Sequence, residues 1–288
     1  MNLPRPIAQR AAFVPGLGGL RFRLVSEPAE GEVIGTVIAV HAFAEEMNKS
    51  RRMCARMARL LAEQGWRVVQ NDLLGCGDSS GDFADASWSA WQTDLEDELV
   101  QGDPGAPVWL WGLRAGALLA SAASARRPDA NLLLWQPVSS GAQHLQQFLR
   151  LHAGARIVGS GKSGSYTSPA NRLRAGQSVE VGGYELSPAL AGGMEQATFD
   201  LPSGFSGRVV WFELSDQEAP TLSPAATRSI ERLEARQVNV EAEAIRGKAF
   251  WQTQEIEESE SLLQASLARI ARAPEPPAGT GAVIASAA

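Results

Sequence analysis

The stretch that most constrains this chain is Val108-Trp-Leu-Trp-Gly-Leu-Arg-Ala-Gly-Ala-Leu-Leu-Ala-Ser-Ala-Ala-Ser-Ala125, in which an apolar run gives way to Gly112-Leu113-Arg114-Ala115-Gly116 and then to small helix formers. The pattern predicts a buried strand, an abrupt turn and a helix. A glycine on each side of the central residue suits a strained strand-to-helix turn, because a Cβ there would strike the neighbouring strand or the start of the helix. The side chain offered at the apex is Arg114, a permanent cation that cannot act as a nucleophile.

The segments on either side repeat a strand-helix rhythm. Ala11–Pro15 and Leu20–Glu27 predict an opening hairpin, and Thr36–Phe43 predicts a buried strand. Met53, Met57, Leu60 and Leu61 recur at helical spacing between Met47 and Gln64, and Gly65 closes that helix. A strand at Arg67–Leu74 empties into the glycine-rich Gly75–Gly81, an amphipathic helix follows at Trp88–Gln101, and Asn131–Gln136 is another short buried strand. Alternation at this spacing implies right-handed βαβ units and a mostly parallel sheet. It breaks between about residues 141 and 206, where Gln143–His152 predicts a helix and Ser178–Glu185 a hairpin around Gly182-Gly183. It then resumes with a strand at Gly207–Leu214, a helix at Pro224–Arg236, a strand at Val238–Ile245 and a helix at Ile256–Arg272. The expected architecture is an α/β chain with an eight-stranded, mostly parallel sheet and helices on both faces. Residues 1–141 and 207–272 form its core, 142–206 an inserted cap, and 273–288 a disordered tail poor in bulky side chains.

Composition narrows the function classes. A net charge of −6 and a pI of about 5.3 argue against nucleic acid as the main partner. Cys54 and Cys76 stand in no metal-ligand or C-x-x-C spacing, so no structural metal is expected and a reducing compartment is. No stretch approaches the length of a membrane span, and the first ten residues lack a signal-peptide core, which points to the cytoplasm. Gly159-Ser-Gly-Lys-Ser163 has the end of a phosphate-binding loop but not its first glycine, whose place is taken by Arg156. No cofactor is expected.

Three motifs carry a family resemblance. His41-Ala42-Phe43 resembles a His-Gly-x oxyanion loop, Asp72-Leu-Leu-Gly-Cys-Gly-Asp-Ser79 resembles an Asp-x-x-Gly-x-Gly-x-Ser segment, and the turn at Arg114 resembles the Gly-x-Ser-x-Gly nucleophile elbow. Together they resemble the α/β-hydrolase superfamily over residues 10 to 272. More narrowly, His41–Met53, the Gly-Leu-Arg elbow and Phe250–Ile256 resemble the exosortase A system-associated hydrolase 2 group, which implies a PEP-CTERM and exopolysaccharide context. The resemblance assigns main-chain donors at Phe43 and Ala115, an acid position at Asp216 and a histidine position near Lys248. Arg114 holds the nucleophile position. The chain has three histidines, His41 on the oxyanion loop and His144 and His152 in the expected cap, so no Ser-His-Asp triad assembles in the usual chain order.

Five basic residues and no acidic one lie between Ala142 and Val179, which predicts a cationic cap. It would either rest on an acidic body or lie as an electropositive lid over a pocket holding Arg114 and Lys248. Arg114 needs a counter-charge, for which Glu45, Glu46, Asp72 and Asp216 are candidates, or else an anionic ligand. His41 and Trp251 are expected to line the pocket. Cys76 and Ser79 are the substitute nucleophiles. Two functions stay open: a fold retained to bind an anionic small molecule or a partner such as a companion hydrolase of the same system, or a hydrolase of ester-type bonds with a non-standard catalytic set.

Overall fold

A computed structural model of the chain describes residues 5–101, 105–157 and 168–271. Ile7–Gly16 (β1) and Gly19–Pro28 (β2) pair as an antiparallel hairpin. There follow Gly35–Val40 (β3), Glu45–Glu63 (α1), Trp66–Asn71 (β4), Trp88–Gln101 (α2), Val108–Leu113 (β5), Gly116–Ala123 (α3) and Asn131–Trp135 (β6). Next come Gly141–Ile157 (α4), Pro169–Arg174 (α5), the short hairpin Val179–Val181 (β7) and Tyr184–Leu186 (β8), and Pro188–Gln196 (α6). Arg208–Ser215 (β9), Pro224–Glu234 (α7), Asn239–Arg246 (β10) and Glu260–Ile270 (α8) complete the described chain.

Eight strands form one sheet in the order β1-β2-β4-β3-β5-β6-β9-β10. The pairing is antiparallel as far as β4 and parallel from there to β10. All six residues of β5 are buried, as a strand covered on both faces requires. Its side chains alternate: Val108 and Leu110 point to one core with Ile38, Leu118, Leu132 and Trp211, while Trp109, Trp111 and Leu113 point to a second with Met57, Leu133, Trp135 and Phe212. The first core is closed by α2, α3 and the elements between β6 and β9, and the second by α1 and α8. In α1 the buried positions Met47, Met53, Cys54, Met57 and Leu61 make a single helical stripe.

The region between β6 and β9 holds more regular structure than its glycine, serine and proline content predicts. The helices α5, α6 and α7 each open on a Ser-Pro pair, at Ser168, Ser187 and Ser223. In each, the serine hydroxyl accepts the amide three residues on, at 3.3, 3.0 and 3.2 Å. Serine at the cap with proline as the first helical residue is a start signal, because proline lacks the amide that would be orphaned there. The last helix starts at Glu260, capped by Ser259, and not at Ile256. The phosphate-loop-like Gly159–Ser163 and the tail 273–288 lie outside the described residues. Among the described residues no helix is long and apolar enough to cross a membrane.

The hairpin is fastened to the sheet's first face by a buried ion pair. Arg21 Nε donates to Asp94 Oδ2 at 2.7 Å, and the same oxygen accepts the Leu74 amide at 3.1 Å. Both side chains are almost fully buried. Asp94→Ala leaves a buried guanidinium without its counter-charge, and a loss of about 3 kcal/mol is expected. Urea unfolding is the measurement, and the double replacement Arg21→Met with Asp94→Leu is expected to recover most of the loss, since both charges then leave the interior together.

Candidate functional site

The elbow is built from close backbone approach. A Cβ on Gly116 would lie 2.3 Å from the Val40 carbonyl oxygen, and one on Gly112 would lie 2.7 Å from Ala117 Cα. Only glycine lets α3 start this close to β3 and β5. The turn between them is tied on both sides: the Arg114 amide donates to Trp135 O at 3.0 Å, and the Arg114 carbonyl accepts from Ala117 and Val138 at 3.1 and 3.2 Å. Arg114 is thereby held at φ 54°, in the left-handed region. Ala44 at φ 52° and Gln136 at φ 45° stand just beyond the carboxyl ends of β3 and β6. Each non-glycine residue in this region stores about 1 kcal/mol of strain, and such residues cluster at functional sites.

The Arg114 side chain lies between a carboxylate and a ring. Its Nε donates to both oxygens of Glu46, at 3.2 and 3.3 Å, and Nη1 makes a long 3.4 Å bond to the Gln136 carbonyl. Its guanidinium carbon is 5.3 Å from the centre of the buried Trp251 ring, within cation–π range. Of the four candidate counter-charges, Glu46 is the one used. It engages Nε alone and does not make the two-nitrogen fork of a bidentate pair. Burial holds the Glu46 carboxyl above the ordinary carboxylate range, and Arg114 opposes that shift by charge and hydrogen bond. His144 Nε2 lies 3.9 Å from Glu46. Burial, assisted by the Arg114 cation, pushes its imidazole down to about 3, so it is neutral at physiological pH.

These groups face a cleft of about 450 Å³ at the carboxyl ends of the strands, lined by Phe43, Glu45, Glu46, Lys49, Arg114, His144, Gln147, Phe148, Trp251 and Gln252. Carboxyl ends of parallel strands are where such sheets bind ligands. Of the residues singled out in the sequence, Phe43, Glu45, Glu46, Arg114 and Trp251 line this cleft. Lys49, His144, Phe148 and Gln136 were not foreseen. Lys49 had a signal, since it stands three and four residues after Glu46 and Glu45 on α1. The other three depend on how β6 and α4 dock.

Several expected residues stand elsewhere. Asp216 is exposed on the loop after β9 and does not line the cleft. Lys248 is exposed too, paired with Glu257, so the pocket does not join it to Arg114. Asp72 is buried and structural: it accepts from Arg51 Nη2 at 2.9 Å and the Asp78 amide at 3.0 Å, which ties down the glycine-rich loop. None of the described cap cations lines the cleft at Arg114: Arg150 is exposed, Arg172 donates to Ser178 O and Arg174 pairs with Glu195. The side chains of His152, Arg156 and Lys162 lie outside the described residues.

The substitute nucleophiles are spent on structure. Ser79 Oγ donates to the Asp72 carbonyl and accepts the Phe22 amide at 2.9 Å. Burial pushes the Cys76 thiol up to about 12, with the Asp72 charge adding to it. A thiol so shifted is inert at neutral pH. His41, which lines the same tiny cavity of about 10 Å³ as Cys76, Phe43 and Ala115, is pushed down to about 4 by burial and the Arg51 cation, with Asp72 pulling the other way. That space holds no more than about one water. The amides of Phe43 and Ala115 donate to no other described residue.

Removing the guanidinium separates these effects. Arg114→Ala strands the Glu46 carboxylate, and a loss of about 2–3 kcal/mol is expected. Arg114→Gly is expected to lose about 1 kcal/mol less, because glycine relieves the left-handed strain. A carboxyl whose pKa is raised on folding keeps its stability at low pH and loses it as pH rises through the folded pKa. The deficit of Arg114→Ala in urea unfolding is therefore expected to be largest near neutrality and to shrink on acidification toward the ordinary carboxylate range.

Comparison with known proteins agrees with this framework. Residues 31–168 match the serine aminopeptidase, S33 family. Among solved structures, Est1E from Butyrivibrio proteoclasticus with ferulic acid bound is 17% identical with a TM-score of 0.63, the match covering 91% of this chain and 100% of that one. A soluble variant of monoglyceride lipase from Saccharomyces cerevisiae, in complex with a substrate analogue, is 13% identical with a TM-score of 0.60, covering 93% and 96% of the two chains. A thioesterase domain from the curacin biosynthetic pathway is 16% identical with a TM-score of 0.53, covering 90% and 99%. No curated protein matches the sequence significantly. The strand order, the elbow and these likenesses together identify the chain as a protein of the α/β-hydrolase fold.

Proposed function

We propose that this chain is a binding member of the α/β-hydrolase fold, which holds an anionic small molecule in the cleft at Arg114 and does not cleave esters through its elbow. The carrying observation is the Arg114–Glu46 pair. A side chain with no nucleophilic atom stands at the apex where that fold raises a serine, and a neighbouring carboxylate holds it in place. A guanidinium there does not attack a carbonyl, but it recognises carboxylate or phosphate.

The resemblance of His41–Met53 and Phe250–Ile256 to the exosortase A system-associated hydrolase 2 group supports a PEP-CTERM and exopolysaccharide setting for this role, with a companion hydrolase as protein partner. The buried free thiols Cys54 and Cys76 fit a cytoplasmic location. The second reading, a hydrolase with a non-standard catalytic set, draws support from the unengaged Phe43 and Ala115 amides.

The readings part on a simple assay. The purified protein is expected to turn over p-nitrophenyl acetate no faster than buffer and to take no label from a fluorophosphonate probe. Stoichiometric labelling of any serine would overturn the binding reading in favour of the catalytic one. Arg114→Ser is expected to stay inactive, because no histidine follows the last strand and Lys248 there is engaged by Glu257.

A further inference from the structure

The cleft carries chemical detail beyond its sign. Arg114 gives only Nε to Glu46, Nη1 makes one long bond, and Nη2 donates to no described residue, so its outer edge is open. Lys49 lines the same cleft and makes no ion pair with any described residue. The carboxylates beside them are already engaged: Glu45 accepts from Tyr184 Oη at 3.1 Å and Asn48 Nδ2 at 3.4 Å, and Glu46 accepts from Arg114. Two cations with unused donors therefore share one opening.

Apart from Gln147 and Gln252, the rest of the lining is aromatic. The Phe148 and Phe43 rings meet edge to face at 5.0 Å and 83°, and His144 stands edge-on to Phe43 at 6.0 Å. That corner favours the face or edge of a further ring. Glu45 and Glu46 in the same lining would repel a dianion more than a monoanion. A planar monoanionic head matches a guanidinium edge assisted by a nearby ammonium.

We propose that the cleft binds a small aromatic carboxylate, its acidic group held between Arg114 and Lys49 and its ring against Phe148 and Phe43. This rests on the anion-binding reading and adds the ligand's chemical class and a second anchoring residue.

The test is isothermal titration of the full chain with four probes: trans-cinnamate, its neutral methyl ester, acetate and inorganic phosphate. Cinnamate is expected to bind, with the ester, acetate and phosphate each at least about tenfold weaker, as one charge-assisted contact or the ring is lost. Arg114→Gln is expected to raise the cinnamate Kd about tenfold or more, and Lys49→Gln about fivefold. Lys49 is half-exposed on α1, so its replacement tests the clamp even where loss of Arg114 disturbs folding. Acetate or phosphate binding as tightly as cinnamate overturns the aromatic class and leaves the anion-binding reading standing. Ester binding as tightly as cinnamate, or binding by none of the anions, overturns the reading as well. An unchanged Kd in Lys49→Gln removes Lys49 from the site.

Discussion

The Val40 carbonyl occupies the space that a side chain at residue 116 would need, and the geometry of the site follows from that contact. Since α3 can start against β3 only without a Cβ there, the chain must reverse within two residues of the end of β5. That reversal forces residue 114 into the left-handed region and turns its side chain out over the carboxyl ends of the strands. The turn is held by main-chain bonds to Trp135, Val138 and Ala117, none of which depends on the side chain at 114. The scaffold can therefore keep its shape while the apex residue changes. An arginine there inherits a strained, outward-facing position built by the backbone.

What the arginine then does is decided by its surroundings. A guanidinium over a cleft walled by Phe43, Phe148 and Trp251 is poorly hydrated, and Glu46 at the start of α1 supplies the charge that water would otherwise screen. The same sheet shows two contrasting uses of ion pairs. Arg21–Asp94 and Arg51–Asp72 fasten loops and elements: both carboxylates are buried, Asp94 Oδ2 also accepts the Leu74 amide and Asp72 Oδ2 the Asp78 amide. At Arg114, Nε serves Glu46 while Nη2 donates to no described residue, so this pair leaves a donor over beside the cleft.

The likeness to Est1E and to the yeast monoglyceride lipase extends over nine-tenths of the chain at identities below one in five. What such a likeness shows is the backbone fold, an eight-stranded, mostly parallel sheet with helices. Main-chain donors such as the Phe43 and Ala115 amides do not depend on which side chain they carry. The reacting groups are side chains and have no such protection. Here the apex is a cation, the thiol of Cys76 is pushed up by burial, and Lys248 lies outside the cleft on a solvent-exposed pair.

By itself the sequence determined the sheet, the elbow and the missing hydroxyl. The continuous apolar runs of β5, β6 and β9 and the helical spacing in α1 are local patterns, and a glycine pair around Arg114 admits few backbone solutions. Helices α5 and α6, of six and nine residues, are too short to show an apolar stripe and are marked in the sequence only by their Ser-Pro starts. Tertiary structure alone chose Glu46 over its neighbour Glu45 and over Asp72 and Asp216. A helix turns its successive residues by about 100°, so only the docking angle of α1 decides which adjacent carboxylate faces the elbow. It also brought His144 and Phe148 of α4 to Arg114, because contacts between distant segments are set by how layers pack and leave no trace in local spacing.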